Sequence, residues 1–385
     1  MTAPGNRPGG HPHQVPAGAA GSTAGAAHSA GAGHASAAEA EEAALLGLPP
    51  EAPHHTVRYG PHPSQLIDYH LPDGGRQPDL RVTLLHGGFW REAYDRAHLS
   101  PLAAALARHG CAVALAEYRR VGGDGGWPAT FEDVSRIVAT AWPEPELRGG
   151  GRGDAPHAGR DGSGRAGRAA AESAPRTGGP AGGRNFRGRH VLLGHSAGGH
   201  LALWAAALRT GTAAGAAGAA GGARAGTEDP TPPAHRTTAP ASGDPEAAPG
   251  RLDPDAAPAV GAPDHVVAVS PVAALGRAHE LDLSGGAVAG LLGGPGAVAE
   301  LLPLTDPLLL PPPAAPVTIL HGTADPDVPL ALSRAYARVM RRAGARVELR
   351  ERPGGGHYAA LTPGTAAFGE LLRVLRDFPP EAVPG

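Results

Sequence analysis

Seven short apolar runs, separated by segments with helical periodicity, constrain the fold of this sequence most strongly. The runs lie at residues 65–72, 80–88, 111–119, 190–196, 265–272, 316–322 and 346–354. Helix-like segments lie between or after them, at residues 98–108, 130–142, 197–208, 329–342 and 361–378. Near-continuous apolar strands that alternate with helices are typical of a mostly parallel sheet covered on both faces. The sequence therefore predicts an α/β fold with a central sheet flanked by helices.

Composition separates this framework from three segments that carry almost no large apolar residues. Of the 385 residues, 59 are Gly and 42 are Pro, and much of this excess lies at 1–54, 148–184 and 209–263. Such segments cannot bury enough apolar surface to offset the entropy of ordering them. We predict a disordered N-terminal tail at 1–54 and a single domain at 55–380, interrupted by low-complexity insertions at 148–184 and 209–263.

Charge and cysteine content exclude several classes of function. The formal net charge is −3, so no basic field recruits nucleic acid or acidic lipid. The single cysteine, Cys111, excludes an intramolecular disulfide and a multi-thiol metal site. No apolar run approaches the roughly 18–20 residues that span a bilayer, and the N-terminus lacks the apolar core of a signal peptide. We predict a cytoplasmic protein without nucleic-acid or membrane partners.

The strongest chemical signal lies where an apolar strand passes into an apolar helix. Residues 194–198 read Gly-His-Ser-Ala-Gly, so Ser196 stands at the strand-to-helix turn with glycines two positions away on each side. In the G-x-S-x-G arrangement this sharp turn exposes a serine nucleophile, and the helix start directs N–H groups at developing negative charge. The bare pattern arises easily by chance in a glycine-rich chain, but its position between strand and helix favours a nucleophile.

A glycine pair follows an earlier apolar run, where residues 84–90 read LLHGGFW. An acyl-transfer enzyme stabilises an oxyanion with preorganised N–H donors, and a glycine pair lets a backbone N–H approach without a Cβ in the way. We assign one oxyanion donor to Gly88 or Phe89 and the second to Ala197, the residue after Ser196. His86 is interpreted as a residue that holds this loop by hydrogen bonding. Taken alone, the glycine pair also fits an ordinary tight turn.

Two later strand ends supply an acid and a histidine. Residues 316–329 read PVTILHGTADPDVP and place Asp325 after a buried strand, with Asp327 as the alternative acid. Downstream of them the one histidine is His357, in a glycine-rich loop after a strand-like segment. The order Ser196, Asp325, His357 is a known chain order for nucleophile, acid and base. It predicts His357 as the general base and Asp325 as the acid that orients it.

These motifs resemble those of the α/β-hydrolases, in particular the esterase/lipase and kynurenine-formamidase-like group. The resemblance covers residues 56–145, 186–208 and 264–375 and is most specific at HGGFWR, GHSAGGHLALW, HGTADPDVP and GGGHY. It implies the α/β-hydrolase fold, a triad of Ser196, Asp325 and His357, and an oxyanion hole in the HGG-aromatic-Trp loop. It also implies hydrolysis of carboxylic esters, or of formyl or aryl amides. An acyl-enzyme mechanism of this kind requires no metal or organic cofactor.

The sequence leaves the scissile bond open. We expect a small-molecule ester substrate, but an arylformamidase or a small peptidase would use the same triad. A non-catalytic binding protein with a hydrolase fold is the alternative from another class. Residues 273–313 are positioned to form a cap, and the segment 282–296 fits two short lid helices as well as a surface excursion. Nothing in the sequence indicates a particular oligomeric state.

Overall fold

Strands and helices alternate along the part of the chain that the computed structural model describes, namely residues 28–75, 78–142, 188–219 and 262–377. The strands are β1 His55–Arg58, β2 Leu66–His70, β3 Leu80–Leu85, β4 Cys111–Ala116, β5 Arg189–His195, β6 His265–Val269, β7 Val317–Gly322 and β8 Val347–Arg352. The helices are α1 His28–Leu46, α2 Ser100–Arg108, α3 Ala129–Thr140, α4 Ala197–Ala219, α5 Leu275–Glu280, α6 Ala287–Leu291, α7 Val298–Thr305, α8 Leu330–Arg342 and α9 Ala366–Arg376. Every predicted strand and helix position carries an element of the expected type.

The eight strands form one sheet in the order β1-β2-β4-β3-β5-β6-β7-β8. The pairs β1–β2 and β2–β4 are antiparallel, whereas all other neighbours are parallel, so the predicted mostly parallel sheet is confirmed. Strand β1 is an addition to the predicted strands, because its four residues, HTVR, are too few and too polar to form an apolar run. Since β3 and β5 to β8 run in one direction, their carboxyl ends meet at one edge of the sheet.

Both faces of the sheet are covered, because successive side chains of a strand point to opposite sides. In β4, Val113 and Leu115 pack in a cluster with Leu102 of α2 and Leu371 of α9. The alternate residues of β4 pack on the other face with α3, α4 and α8, in a cluster that includes Ala112, Ala114, Ala116, Phe131, Trp204 and Tyr336. Full burial of one such Leu or Phe stabilises the fold by about 2 kcal/mol, so the two clusters fix the sheet and its strand ends.

Helix α1 lies within the range 1–54 that the sequence analysis assigned to the N-terminal tail. The second half of the range 1–54 is helical over His28–Leu46, and Leu45 is only 1% exposed among the residues between α2, α9 and the sheet. The backbone N–H of Gly47 closes the helix on the carbonyl oxygen of Ala43 at 2.9 Å. The short apolar patch around Leu45 packs against the domain, and local composition does not predict this contact. Residues 1–27 lie outside the described residues.

The two predicted insertions fall mainly outside the described residues. Residues 148–184 are wholly outside, and so are 220–261 of the second insertion. The start of that insertion differs from the prediction, because α4 continues beyond residue 208 to Ala219. Five of the eleven residues at 209–219 are Ala, the residue with the highest helix propensity, although three are Gly. Among the described helices, none has the length and apolar character that crossing a membrane requires.

Candidate active site

The carboxyl edge of the parallel strands brings the predicted motifs together. Strand β3 leads into the loop 86–91, β5 into Ser196, β7 into the turn with Asp325, and β8 into the loop with His357. Strand β5 lies between β3 and β6, so the turn with Ser196 is central among these strand ends. Ligands of open α/β sheets bind outside the carboxyl ends of the strands. This edge is therefore the candidate active site.

Ser196 occupies a strained turn between β5 and α4. Its φ is 53°, a left-handed conformation that costs a non-glycine residue energy and persists where the surroundings enforce it. A Cβ at Gly194 would lie 2.2 Å from the carbonyl oxygen of Gly198, and a Cβ at Gly198 would lie 2.2 Å from that of Leu85. The backbone N–H of Ser196 donates to the carbonyl oxygen of Val269 at 2.9 Å. Both glycines are thus required by the close packing of this turn.

Asp325 and His357 form a buried hydrogen-bonded pair. The Nδ1 atom of His357 lies 2.7 Å from Oδ2 of Asp325, and their side chains are 3% and 0% exposed. The other carboxylate oxygen, Oδ1, accepts the backbone N–H groups of Asp327 at 2.9 Å and Val328 at 2.8 Å. Because every one of these donors points at the carboxylate, its orientation toward His357 is fixed.

The carboxylate of Asp325 is held in its ionised form. Burial acts to raise its pKa, but hydrogen bonds from His321 and His357 outweigh burial, so the pKa lies well below its usual range. The Nε2 atom of His321 lies 3.2 Å from Asp325 Oδ2 and 2.9 Å from the carbonyl oxygen of Val328. Both of these neighbours are acceptors, so Nε2 of His321 carries a hydrogen. Asp325 is therefore an anion that faces the Nδ1 atom of His357.

His195, the residue before Ser196, contacts the loop that carries His357. Its Nε2 lies 3.2 Å from the carbonyl oxygen of His357, and the centroids of the two rings are 4.6 Å apart. Burial, followed by the charge of His357, lowers the pKa of His195 well below its ordinary value. A neutral His195 with hydrogen on Nε2 can donate to that carbonyl. The contact therefore places the loop of His357 beside the turn of Ser196.

The loop after β3 has an unusual backbone next to Ser196. Three consecutive residues, Gly88, Phe89 and Trp90, have positive φ values of 104°, 47° and 59°. A Cβ at Gly87 would lie 3.0 Å from Cβ of Ser196, so the loop passes directly beside the serine. Trp90 is fully buried and anchors the far end of the loop. A turn with this succession of left-handed residues aims its N–H groups into one region.

The residues predicted as oxyanion donors all have free N–H groups. Within the described part of the chain, the backbone N–H groups of Gly88, Phe89 and Ala197 donate to no protein acceptor. Ala197 is also the first residue of α4, where the helix dipole favours negative charge. Gly88 and Phe89 are partly exposed, so their loop is accessible from solvent, whereas Ala197 is buried.

A buried network of hydrogen bonds and ion pairs holds the loop after β3. The ring nitrogens of His86 lie 2.8 Å from the carbonyl oxygen of Gly87 and 2.8 Å from Oε1 of Glu117. The hydroxyl of Tyr118 donates to the carbonyl oxygen of His86 at 2.8 Å, and Arg120 forms an ion pair with Glu117. His86 thus has the hydrogen-bonding position expected from the sequence.

The stability of this network is expected to depend on pH through Glu117. Burial acts to raise the pKa of Glu117, but His86 and Arg120 lower it by more, so the pKa falls from the ordinary 4.5 to about 2. Because its pKa is lower in the folded protein, Glu117 stabilises the fold by about 3 kcal/mol above pH 4.5. This contribution is lost as the pH falls toward 2. Urea unfolding at a series of pH values should therefore show a steeper acid loss for wild type than for Glu117→Gln. Parallel curves for the two proteins would contradict this role of Glu117.

One group of side chains among the described residues has the spacing of a metal site, and it includes the hydrogen-bonded pair of Asp325 and His357. The ligand atoms of Asp325, Asp327 and His357 lie within 4.8 Å of one another. The closest atoms of Asp325 and His357 are, however, already hydrogen-bonded to each other at 2.7 Å. Burial raises the pKa of Asp327, which weakens it further as a metal ligand. This arrangement favours an acid–base pair over a cation site.

The segment predicted as a possible cap is helical and packed against the domain. It contains α5, α6 and α7, and Val288 and Leu291 of α6 are buried in the larger core cluster. Residues 282–296 contain one short α-helix, α6, and the start of a 3-10 turn at Pro295–Ala297, so the segment has fewer α-helices than the two of the lid interpretation. The guanidinium group of Arg91 donates to the carbonyl oxygens of Ser284 and Gly285, which ties this segment to the loop after β3.

Comparison with known proteins places this architecture among solved esterase structures. No protein-family model and no curated protein matches the sequence. Esterase B from Lactobacillus rhamnosis is 17% identical with a TM-score of 0.55, and the match covers 91% of each chain. A truncated carbohydrate esterase from gut microbiota is 19% identical with a TM-score of 0.54, over 85% of this chain and 98% of that one. An acetyl ester-xyloside bifunctional hydrolase from Caldicellulosiruptor lactoaceticus is 18% identical with a TM-score of 0.50, over 84% and 94%.

At these identities the likeness concerns the fold. The mostly parallel eight-stranded sheet with helices on both faces matches that of the esterases, so the predicted α/β-hydrolase fold is confirmed. The fold alone does not assign an activity, because function depends on the particular side chains of the site.

Proposed function

We propose that this protein is a serine hydrolase that cleaves small carboxylic esters through an acyl-enzyme. The observation that carries the proposal is the buried hydrogen bond of 2.7 Å between His357 Nδ1 and Asp325 Oδ2. It lies at the sheet edge where Ser196 occupies a strained strand-to-helix turn. Solved structures that share this fold include esterases, which supports ester hydrolysis as the reaction class.

In the proposed reaction, His357 acts as the general base. Asp325 holds the hydrogen on Nδ1, so the lone pair of the ring is on Nε2 and accepts the proton of the Ser196 hydroxyl. Oγ of Ser196 then attacks the carbonyl carbon, and the resulting oxyanion accepts hydrogen bonds from the backbone. The donors are the N–H groups of Ala197 and of Gly88 or Phe89.

The second half of the reaction releases both products. The imidazolium of His357 gives its proton to the alcohol oxygen as the ester bond breaks, which leaves an acyl group on Ser196. Water, deprotonated by His357, attacks this acyl carbon, and the proton returns to Oγ as the acid departs. Protons are thus conserved over the cycle, and the proposal requires no cofactor.

The reaction is tested with purified protein on short-chain nitrophenyl esters and on N-formylkynurenine. We expect turnover of the esters and labelling of Ser196 by a fluorophosphonate. A marked preference for the formamide would replace the esterase proposal with an arylformamidase that uses the same triad. Folded protein that neither turns over a substrate nor reacts with the fluorophosphonate would instead support the binding-protein alternative.

A further inference from the structure

The N-terminal helix α1 places a carboxylate on the loop that carries His357. The Oε2 atom of Glu41 accepts the backbone N–H of Gly356 at a distance of 2.9 Å. The two residues are 315 positions apart in the sequence, and Gly356 directly precedes His357. Helix α1 lies outside the sequence segments 56–145, 186–208 and 264–375 that carry the hydrolase-like motifs. The contact was therefore not among the features that those motifs predicted.

Gly356 lies close to both Glu41 and the backbone of helix α1. A Cβ at Gly356 would lie 2.6 Å from Oε2 of Glu41 and 3.3 Å from Cα of Ala38. Ala38 and Leu45 are buried, and together with Glu41 they are spaced three and four residues apart, so they share one face of α1. The helix is thus docked by its apolar residues, with Glu41 directed at the loop.

Two further contacts hold the loop, one on each side of Gly356. The backbone N–H of Ala324 donates to the carbonyl oxygen of Gly355 at 2.9 Å, and His195 contacts the carbonyl oxygen of His357 at 3.2 Å. Without Glu41, these contacts would remain, but the buried N–H of Gly356 would lose its acceptor. An unpaired buried donor favours rearrangement of the backbone that carries it.

We propose that Glu41 is a positioning residue for the general base, on the premise of the hydrolase function proposed above. Its carboxylate fixes the peptide group before His357 and so keeps the imidazole aligned between Asp325 and Ser196. The effect passes through the backbone, since the contact of Glu41 is to Gly356 and not to the imidazole ring. Helix α1 is accordingly part of the active-site architecture.

The charges around Glu41 allow its hydrogen bond to be separated from its charge. Burial raises the pKa of Glu41, while the hydrogen bond from Gly356 and the charge of Arg352 in β8 act to lower it and the charge of Asp325 acts to raise it. Glu41→Gln removes the charge but keeps a side-chain oxygen that can accept the N–H of Gly356. Glu41→Ala removes both. Comparison of the two variants therefore isolates the positioning contact.

The experiment measures kcat and KM for a nitrophenyl ester in the full-length chain. We expect Glu41→Ala to lower kcat about ten- to a hundredfold with little change in KM, because misplacement of a catalytic group by about 1 Å has effects of this size. Glu41→Gln should retain most of the wild-type kcat. Glu39→Ala is the matched control, since Glu39 is exposed on the same helix, and it should leave kcat unchanged.

Each outcome bears on a different claim. Equal kcat values for Glu41→Ala and Glu39→Ala would overturn the positioning role, as would equal losses in Glu41→Ala and Glu41→Gln. Thermal unfolding of each variant separates a loss of folded protein from a loss of alignment. Wild-type protein without turnover and without fluorophosphonate labelling of Ser196 would reject the proposed hydrolase function itself, and the role of Glu41 with it.

Discussion

Ser196→Ala is expected to reduce kcat/KM for a nitrophenyl ester by about 10⁴-fold or more, the range found when a serine nucleophile is removed from a triad. The variant lacks the oxygen that forms the acyl-enzyme, while the turn around it is unchanged. Alanine has the same Cβ as serine, so it adopts the backbone at φ 53° with no new clash. Steady-state ester hydrolysis and fluorophosphonate labelling are the measurements, and both signals should disappear.

Ser270 provides a matched control for this substitution. It lies directly after β6, the strand next to β5, and it is also buried with a positive φ, in this case 45°. Ser270→Ala therefore removes a hydroxyl from a similar backbone environment without removing the proposed nucleophile. We expect it to keep activity within a few-fold of wild type. If both variants lost activity equally, the effect would reflect disturbance of the strand ends and Ser196 would have no special role.

Much of the fold was predictable because its strands are buried on both faces. The runs at β3, β4, β5, β6 and β7 are almost continuously apolar, and such runs stand out against a chain rich in Gly, Pro and Ala. Strand β1 was missed because an edge strand needs apolar residues on one face at most. Helix α1 was not predicted for a related reason, since Ala38 and Leu45 are its only buried residues among those with described side chains and carry little apolar signal.

The candidate site likewise has residues that the sequence located and contacts that it did not predict. The location of Ser196, Asp325 and His357 at one edge of the sheet was predictable because each follows a strand in a short motif, and parallel strands bring their carboxyl ends together. His321 had a signal that was not used, namely a histidine at the end of a buried strand four residues before Asp325. The contact of Glu41 with Gly356 had none, because it depends on how a distant helix docks. Local sequence thus predicts which residues lie at the sheet edge, whereas tertiary packing determines which distant residues contact them.

Asp325→Asn is expected to lower kcat by about 10³- to 10⁴-fold, because an amide in place of the carboxylate favours the wrong tautomer of the histidine. In the structure, Oδ2 of Asp325 accepts a hydrogen from Nδ1 of His357 at 2.7 Å. An asparagine can present its NH₂ group there, which would leave the hydrogen of the neutral ring on Nε2. His357 could then no longer accept the proton of Ser196 at that atom.

The same comparison decides between the two candidate acids. Asp327 lies two residues later, and its contribution to the pair is a backbone N–H that donates to Asp325 Oδ1 at 2.9 Å. Because Asp327→Asn leaves that N–H in place, we expect a loss of less than about tenfold, which is the size of a change of 1.4 kcal/mol. Measured kcat values for the two variants, with unfolding curves to verify the fold, test the assignment. A larger loss in Asp327→Asn than in Asp325→Asn would transfer the role of the acid to Asp327, and His357 would have to rotate toward it in the reactive state.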